Sequence, residues 1–284
     1  MKILVLGASG MLGNAMMRIL SEQSDWKVYG TIRSEGLKKL FDPDIARNLL
    51  SGVDVEQYDS LLQAFLQVRP DVVINCIGLI KKFMNEEDPL HAISVNAALP
   101  HRLAKLCAVS GARLIHMSTD CVFSGEKGNY SESDISDAKD LYGRSKFLGE
   151  VDYPHALTLR TSIIGRELQS ANGLIGWFLS QEGSCLGFRR AIFSGFPTVV
   201  LAEIIRKFII PNPDLHGLYH VAAQPISKYE LLRLVADVYG KSIEIIADDS
   251  LVIDRSLNAD RFAQATGYHA PVWRELIERM HKYS

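Results

Sequence analysis

A glycine-rich turn close to the start of the chain restricts the fold more than any other feature. Gly7, Gly10 and Gly13 have the spacing G-x-x-G-x-x-G. They follow the apolar segment Ile3–Leu6 and open the segment Met11–Leu20, in which apolar residues recur at helical spacing. A strand, a glycine turn and a helix in this order are typical of a fold that binds a dinucleotide. Gly7 permits the tight turn, Gly10 lets the backbone approach a pyrophosphate at the helix N-terminus, and Gly13 lets the helix pack closely on the strand.

The first 165 residues repeat this alternation of short aliphatic runs and helical segments, which predicts successive βαβ units. Near-continuous aliphatic runs are typical of parallel strands that are covered on both faces. We therefore predict an α/β fold of the Rossmann type, with a doubly wound parallel sheet and an NAD(P)-binding domain at 1–165. The predicted strands are Ile3–Leu6, Lys27–Thr31, Val72–Cys76, Arg113–Met117 and Leu157–Thr161. The predicted helices are Met11–Leu20, Ser60–Gln67 and Pro100–Ala108.

After about residue 165, glycines and a Pro-Asn-Pro turn divide the chain into shorter elements. This change predicts a smaller C-terminal α/β portion at 166–284, mainly substrate-binding, with some segments returning to the first domain. The predicted helices there are Val199–Ile209, Lys228–Tyr239 and Trp273–His281, and the predicted strands are Gly217–Val221 and Ile243–Ala247.

Composition excludes several classes of protein. The 284 residues carry a formal net charge of −2 and no apolar run that could cross a bilayer, so neither nucleic acid nor membrane is an expected partner. The eight histidines and four cysteines lack the paired spacing of metal ligands, and no metal is expected. Scattered cysteines without the density of a disulfide scaffold predict reduced thiols and a cytoplasmic protein.

The end of the second predicted strand bears on the choice of cofactor. Arg33 lies where many NAD-binding proteins carry an acid for the ribose hydroxyls, and its guanidinium can pair with a 2′-phosphate. NADP(H) is therefore favoured, while Glu35 close by leaves NAD(H) open. A strand-like piece ending at 52–55 and the strand that runs to Cys76 also bring their ends to the ligand-binding edge of such a sheet. The cofactor contacts predicted besides Arg33 are Gly7, Ser9, Gly10, Met11, Leu12, Gly13, Asp54, Val55, Cys76, Ile77 and Gly78.

Two later segments have the residues for carbonyl reduction. Thr119 follows an apolar strand, and Tyr142 and Lys146 are one helical turn apart, hence on one face of a helix. A tyrosine can donate the proton that a reduced ketone needs, but its ordinary pKa of about 10 is poorly matched to neutral pH. The Lys146 ammonium, with the positive ring of an oxidised nicotinamide, is expected to lower the pKa of Tyr142. The Thr119 hydroxyl is expected to hold the substrate oxygen, and both Tyr142 and Lys146 to contact the cofactor.

With these motifs the chain resembles the extended short-chain dehydrogenase/reductases, and within them the dTDP-4-dehydrorhamnose reductases and other nucleotide-sugar reductases. The resemblance covers nearly the whole chain and is carried by Gly7–Gly13, Ser118–Phe123, Tyr142–Lys146, Leu159–Ser162, Phe196–Thr198 and Arg255–Asn258. It implies a catalytic set of Thr119, Tyr142 and Lys146, with Asn96 supporting the cofactor site from behind. It also implies reduction of a 4-keto-6-deoxy sugar on a nucleoside diphosphate, for the synthesis of surface polysaccharides.

Two departures from the family bear on the substrate. Cys121 stands where the family usually has tyrosine after Ser-Thr-Asp, and Ile163–Gly165 stands where an aromatic residue typically packs on the sugar. The related dehydratases carry an Asp-Glu pair after the threonine, so Cys121 argues against dehydration. Two alternatives to a reductase stay open: a 4-epimerase that keeps its NAD bound, and a non-catalytic protein that senses NAD(P) and binds a partner.

Several basic and aromatic residues are candidates for substrate contact. Lys81 and Lys82 follow the predicted strand that ends at Cys76 and could meet a diphosphate, or could form an exposed loop. Arg189 and Arg255 are similar candidates for contact with the substrate. The sequence leaves open which sugar and which nucleoside base the substrate carries. It also leaves open whether the protein forms a homodimer. Further candidates, for lining the sugar pocket or for packing in a helix core, are Trp177 and Phe188.

Overall fold

The computed structural model describes residues 1–81, 84, 88–169 and 173–283. The prediction for Lys82 lies outside these residues. The strands are β1 (Lys2–Leu6), β2 (Lys27–Thr31), β3 (Leu49–Leu50), β4 (Val72–Asn75), β5 (Arg113–Met117), β6 (Ala156–Arg160), β7 (Ile163–Ile164), β8 (Ser184–Phe188), β9 (Ala191–Phe193), β10 (Phe196–Pro197), β11 (Gly217–His220), β12 (Ile226–Ser227), β13 (Glu244–Asp248) and β14 (Ile253–Asp254).

Helices alternate with the strands along most of the chain. The α-helices are α1 (Met11–Ser21), α2 (Pro43–Ala46), α3 (Tyr58–Val68), α4 (Leu90–Ala92), α5 (Leu99–Ser110), α6 (Leu141–Leu148), α7 (Leu174–Ser180), α8 (Thr198–Ile204), α9 (Lys228–Tyr239), α10 (Asp260–Thr266) and α11 (Trp273–Lys282). Two π-helical segments, Ile93–Ala98 and Ile205–Ile209, continue α4 and α8, and 3-10 helices occupy Glu35–Leu40 and Asp120–Val122.

A parallel sheet of seven strands, in the order β11-β6-β5-β4-β1-β2-β3, forms the centre of the described structure. The order reverses between β1 and β4, because β2 and β3 continue on one side of β1 and β4 to β6 on the other. Loops that leave the carboxyl ends of β1 and β4 therefore diverge to opposite faces of the sheet and open a crevice between them. The doubly wound Rossmann-type fold predicted from the sequence is confirmed.

Each face of the sheet is covered by its own apolar cluster. On one face, α1 packs against α8, with Met16, Ile19 and Leu201 fully buried. On the other face, Phe65 of α3 and Leu103 of α5 pack on β-strand residues. Burial on both faces explains why the strands read as aliphatic runs without alternation.

Most predicted elements agree with the structure to within two residues, and β2, β5 and α9 have the predicted bounds. Two predictions need correction. The strand-like piece ending at 52–55 is wrong, because β3 comprises only Leu49–Leu50 and Gly52 has a φ of +74°, which takes the chain out of the sheet. The helix predicted at Val199–Ile209 is α-helical only to Ile204 and then widens into the π-helical segment.

The C-terminal third contributes to two parts of the molecule. Of the strands predicted there, Gly217–Val221 supplies β11, which pairs with β6 and extends the central sheet, whereas β13 pairs with β8 in a separate two-stranded sheet. The segment 254–258 lies against the loop after β5: Asp254 N donates to Gly125 O at 2.8 Å, and Tyr130 N donates to Ser256 O at 2.8 Å. The division of the chain at residue 165 stays a prediction.

Within the described ranges, no helix is both long enough and apolar enough to span a membrane. All four cysteines are free.

Gly13 gives a test of the contact between α1 and the turn that follows β1. A Cβ at Gly13 would lie 2.1 Å from Gly7 O, closer than any non-bonded contact allows. We predict that Gly13→Ala lowers the free energy of unfolding by about 1–3 kcal/mol, because the backbone must shift to admit a methyl group. Chemical denaturation measures this loss. Gly36→Ala is the matched control, since its Cβ would meet only Ser34 Oγ, at 3.8 Å, and equal stability of the two variants would contradict the prediction.

Candidate active site

A cleft of about 500 Å³ opens at the point where the strand order reverses. Its wall contains most of the predicted cofactor residues: Gly7, Ser9, Gly10, Met11, Arg33, Asp54, Val55, Cys76, Ile77 and Gly78. Leu12 and Gly13 are buried in α1 behind this wall. The wall also contains residues that sequence reasoning missed: Thr31, Ile32, Val53, Glu56, Leu79, His91, Val95, Glu167, Leu168 and Gln169.

The glycine turn leads into the N-terminus of α1, whose first backbone N–H groups have no side-chain cap. Gly7 has a φ of +79°, which a residue with a side chain adopts only under strain, and Gly10 N donates to Gly7 O at 3.0 Å. The side chain of Thr31 fixes the turn by accepting from Gly7 N at 3.1 Å. Gly10 is the N-cap of α1 and offers no side chain to the first helical N–H groups. Such a helix end attracts a phosphate, so the cradle fits the pyrophosphate of a dinucleotide.

Glu35 and Arg33, which follow β2, differ in their contacts: the Glu35 carboxylate binds neighbouring residues, while Arg33 lines the cleft. Arg33 is exposed and lines the cleft. Glu35 accepts a short hydrogen bond from Ser51 Oγ and pairs with Lys38 Nζ at 3.0 Å. These two partners lower the pKa of Glu35, with the Ser51 hydrogen bond the larger cause. Glu35 is thus ionised and occupied, which favours Arg33 as the residue that meets the ribose.

Asn96 connects the cleft to the catalytic helix. It is fully buried in the π-helical segment Ile93–Ala98, a kind of widened turn that is frequent at functional sites. Its Oδ1 accepts from Leu79 N at 2.8 Å, and its Nδ2 donates to Leu79 O at 3.0 Å and to Ser145 Oγ at 3.2 Å. Asn96 therefore fixes the cleft segment at Leu79 and helix α6 together.

Lys146 is buried between α6 and the end of β5. Its ammonium donates to Met117 O at 2.7 Å, and a Cβ placed on Gly78 would lie 3.8 Å from Nζ. The ammonium is thus next to a residue of the cleft wall. Burial lowers the pKa of Lys146 to about 8, and the charge of Glu150 opposes that shift.

Thr119 and Tyr142 meet on the substrate side of Lys146. Asp140 caps α6 by accepting from Gly143 N at 2.8 Å, and a Cβ on Gly143 would lie 2.2 Å from Cys121 O. This close approach brings Tyr142 to the loop after β5, where Thr119 lies close enough to lower the pKa of the phenol, against the larger effect of burial. Thr119 Oγ1 also donates to Asp120 Oδ1 and accepts from Cys121 N, both at 3.1 Å.

Without the nicotinamide, burial raises the pKa of Tyr142, the charge of nearby Cys121 adds to the shift, and the hydrogen bond with Thr119 opposes it. The phenol therefore stays protonated at neutral pH, as a proton donor must. The expected lowering of this pKa by Lys146 together with the oxidised nicotinamide stays a prediction.

The predicted substrate residues occupy three different positions. Arg255 is at the site: its Nε donates to Phe123 O at 2.8 Å and its Nη1 lies 3.5 Å from Cys121 Sγ. Lys81 Nζ pairs with Asp140 at 3.1 Å, at the N-terminus of α6. Arg189 is exposed and pairs with Asp249, a contact that belongs to the smaller sheets. Trp177 is also partly exposed, on α7.

Within the ranges that the structure describes, no cluster of histidine, cysteine and carboxylate residues could hold a metal ion.

Comparison with known proteins identifies a family over the whole chain. The family described as the RmlD substrate binding domain matches residues 1–283. The "Probable low-salt glycan biosynthesis reductase Agl14" of Haloferax volcanii is 30% identical over 268 residues, which are 90% of this chain and 84% of that protein. The dTDP-4-dehydrorhamnose reductase of Aggregatibacter actinomycetemcomitans is 25% identical over 100% of this chain and 99% of its own.

A further relative and a solved structure complete the comparison. Methionine adenosyltransferase 2 subunit beta of Xenopus tropicalis is 27% identical over 84% of this chain and 72% of that protein. The crystal structure of dTDP-4-dehydrorhamnose reductase from Bacillus anthracis, in complex with NADP, superposes with a TM-score of 0.81 at 20% identity. It covers 100% of this chain and 98% of that chain.

Arg33 gives a test of cofactor preference. We predict that Arg33→Ala weakens NADPH binding about 10–100-fold, as expected for the loss of a charge-assisted hydrogen bond, and leaves NADH binding unchanged. Fluorescence titration with both cofactors measures the two dissociation constants. Lys39→Ala is the control, because Lys39 is an exposed cation outside the cleft wall. Equal losses for NADPH and NADH would show that Arg33 does not meet the 2′-phosphate.

Proposed function

Because the chain belongs to the family of the RmlD substrate binding domain, we propose that it reduces a 4-keto-6-deoxy sugar carried on a nucleoside diphosphate, with NADPH as the favoured cofactor. The observation that carries the proposal is the contact of Tyr142 with Thr119, next to a Lys146 ammonium that borders the dinucleotide cleft. The alignment with a dTDP-4-dehydrorhamnose reductase over the full chain supports the same substrate class. Such an enzyme would work in the cytoplasm, in the synthesis of surface polysaccharides.

The bound dinucleotide would supply the hydride, and the residues of the chain handle the proton and the substrate oxygen. Tyr142 stays protonated and donates its hydroxyl proton to the carbonyl oxygen of the sugar. The Thr119 hydroxyl now donates to Asp120 Oδ1 at 3.1 Å, and by turning from Asp120 to the substrate it would donate to the same oxygen as it becomes an alkoxide. The Lys146 ammonium balances the negative charge left on Tyr142.

Arg255 would give the site its positive charge toward the substrate. Burial raises the pKa of Asp120, and the charge of Arg255 is among the effects that oppose this rise. Burial also acts to raise the pKa of Asp140, but the hydrogen bonds from Gly143 N and Lys81 lower it overall, with a smaller contribution from the charge of Arg255. Asp120 and Asp140 flank the tyrosine from the loop after β5 and from the cap of α6. We propose that Arg255, whose guanidinium has no carboxylate partner among its hydrogen bonds in the described residues, contacts the substrate, rather than Lys81 or Arg189, which pair with Asp140 and Asp249.

A second candidate is a non-catalytic protein that senses NAD(P) and binds a partner, and one relative is by its name a subunit, methionine adenosyltransferase 2 subunit beta. The presence of Thr119, Tyr142 and Lys146 in one arrangement favours the reductase. A 4-epimerase would use the same tyrosine and lysine but would retain NAD.

A substrate screen separates these three functions. NADPH absorbance is followed with 4-keto-6-deoxy sugars linked to dTDP, UDP and GDP, and the purified protein is analysed for bound NAD. A reductase oxidises NADPH in step with product, an epimerase interconverts sugars without net oxidation, and a non-catalytic subunit does neither.

Tyr142 provides the decisive variant for reductase activity. We predict that Tyr142→Phe lowers turnover by at least about 10²-fold, because the proton donor is lost, while the NADPH dissociation constant stays within about twofold. Single-turnover kinetics and fluorescence titration give the two quantities. Tyr58→Phe is the control, since Tyr58 is half-exposed at the start of α3. Unchanged turnover in Tyr142→Phe would exclude this mechanism.

An exposed apolar patch supports a homodimer. Four apolar residues are exposed by 44% to 72% on elements that pack together: Leu90 on α4, Ile93 on the π-helical segment, and Phe147 and Leu148 on α6. We propose that a second copy covers this patch, since contiguous exposed apolar surface marks an interaction site. Leu90→Lys is expected to shift a dimer toward monomer in sedimentation velocity, and Val109→Lys, on exposed α5 surface, is the control. Equal sedimentation of both variants and the parent would reject this interface.

A further inference from the structure

A buried ion pair lies behind the catalytic helix. Glu150 follows α6 by two residues, and its carboxylate accepts from Ser118 Oγ at 2.7 Å and from Arg160 Nε and Nη2 at 2.8 and 2.7 Å. The exposed fractions of the two charged side chains are 10% for Glu150 and 3% for Arg160. This geometry is the bidentate pairing that binds a carboxylate most firmly.

Arg160 is held in place from three further directions. Its Nη1 lies 3.2 Å from His220 Nε2, its Nη2 donates to Ser136 Oγ at 3.3 Å, and its guanidinium lies 5.0 Å from the centre of the Phe123 ring. Burial and the charge of Arg160 lower the pKa of His220 to about 3, so the imidazole is neutral and accepts through Nε2. Glu150 is therefore the carboxylate that pairs with Arg160, while Glu132 accepts from the backbone N of His220 at 2.8 Å.

The same carboxylate reaches the catalytic set along two routes. By accepting from Ser118 Oγ, the Glu150 carboxylate holds the segment from Met117 to Thr119. The carbonyl of Met117 in this segment accepts from the Lys146 ammonium. Through space, the charge of Glu150 favours the protonated form of Lys146, against the effect of burial.

The other groups that face Lys146 cannot replace this charge. Tyr142, one turn earlier on α6, is a protonated phenol, and Asn96 is a neutral amide. His116 of β5 is neutral, because burial lowers its pKa well below the ordinary value and the charge of Lys146 lowers it further. Glu150 is thus the group whose charge opposes the loss of a proton from the buried ammonium.

We propose that Glu150 is a positioning residue for Lys146: its charge keeps the ammonium protonated, and its hydrogen bond to Ser118 sets the Met117–Thr119 segment. The proposal rests on the proposed reductase function only for its activity test. A purely structural role is the competing explanation, because the Glu150–Arg160 pair also ties α6 to β6 and, through His220, to β11.

The dependence of turnover on pH distinguishes the two roles. In the parent protein, turnover is expected to fall above about pH 8 as Lys146 loses its proton. Because a nearby charge shifts a pKa by about one unit or more, Glu150→Gln is expected to move this fall about one pH unit lower. Turnover at pH 8 would then be about fivefold below the parent and at pH 6 nearly equal to it. An unshifted fall would overturn the proposal.

Two control variants separate the effect of the Glu150 charge on the pH profile from the other effects of the substitution. Ser118→Ala removes the hydrogen bond but keeps the carboxylate, so turnover is expected to drop at every pH without a shift of the profile. Glu203→Gln makes the same substitution in another ion pair, with Arg279 at 3.0 Å, and is expected to leave the profile unchanged. A shift in Glu203→Gln equal to that in Glu150→Gln would show that loss of any carboxylate suffices, and would overturn the proposal.

A second variant protects the test against unfolding. Glu150→Gln leaves Arg160 buried without its partner, which destabilises a protein strongly, whereas removing both charges is much better tolerated. The double variant Glu150→Gln/Arg160→Met is therefore expected to unfold at a higher temperature than the single variant. Because it also removes the positive charge of Arg160, its profile is expected to lie between those of the parent and of Glu150→Gln, and a profile shifted further than that of Glu150→Gln would overturn the charge role.

A measurement without turnover separates this inference from the proposed function. The ¹³Cε resonance of Lys146, assigned by its loss in Lys146→Met, reports the titration of the ammonium directly. If the parent protein reduces none of the sugars and this titration still moves in Glu150→Gln, the reductase proposal fails and the role of Glu150 stands. If the resonance titrates alike in both proteins, the role of Glu150 is disproved whatever the activity.

Discussion

The hydrogen bond from the Lys146 ammonium to Met117 O joins the two halves of the site. A buried ammonium is costly unless it is paired and hydrogen-bonded. Here the end of β5 supplies the acceptor and Glu150 the opposite charge. The consequence is geometric: α6 is fixed against the strand end that holds Thr119, so the tyrosine one turn before Lys146 meets the threonine. The catalytic contact thus follows from the way the lysine is stabilised.

The cleft and the catalytic helix are coupled through one short stretch of backbone. Gly78 and Leu79 leave β4 at the crevice, and both backbone polar groups of Leu79 are bound by Asn96. Asn96 also binds Ser145 on α6, and Gly78 leaves room for the Lys146 ammonium. A dinucleotide in the cleft would therefore lie against the same segment that positions the lysine. Cofactor and proton donor share one rigid support, which is what hydride and proton delivery to a single carbonyl require.

The sequence predicted what depends on local pattern and motif. The aliphatic runs specified the parallel strands, the glycine spacing indicated the cradle, and the spacing of Tyr142 and Lys146 placed both on one helical face. Contacts between distant segments could not be foreseen: Glu150, Arg160 and His220 meet only because β6 and β11 are neighbours. The rise in the pKa of Tyr142 could not be foreseen either, because the burial of the phenol and the direction of the Lys146 side chain are tertiary properties. The residues 167–169 reach the cleft from beyond β7 without any motif that would indicate it.

The C-terminal segment brings a charged side chain, Arg255, to the loop that contains Cys121. Arg255 belongs to a stretch that is bound by backbone hydrogen bonds to the loop after Thr119, and its guanidinium touches Cys121, the residue at which this chain departs from its family. A thiol is smaller than a tyrosine ring, so the space beside Tyr142 is shaped here by a charged side chain from the substrate portion. Residue 121 meets Thr119 and α6 through its backbone, since Cys121 N donates to Thr119 Oγ1 and Gly143 of α6 approaches Cys121 O. Changes at Cys121 and Arg255 should therefore alter the choice of sugar while the geometry of proton donation is retained.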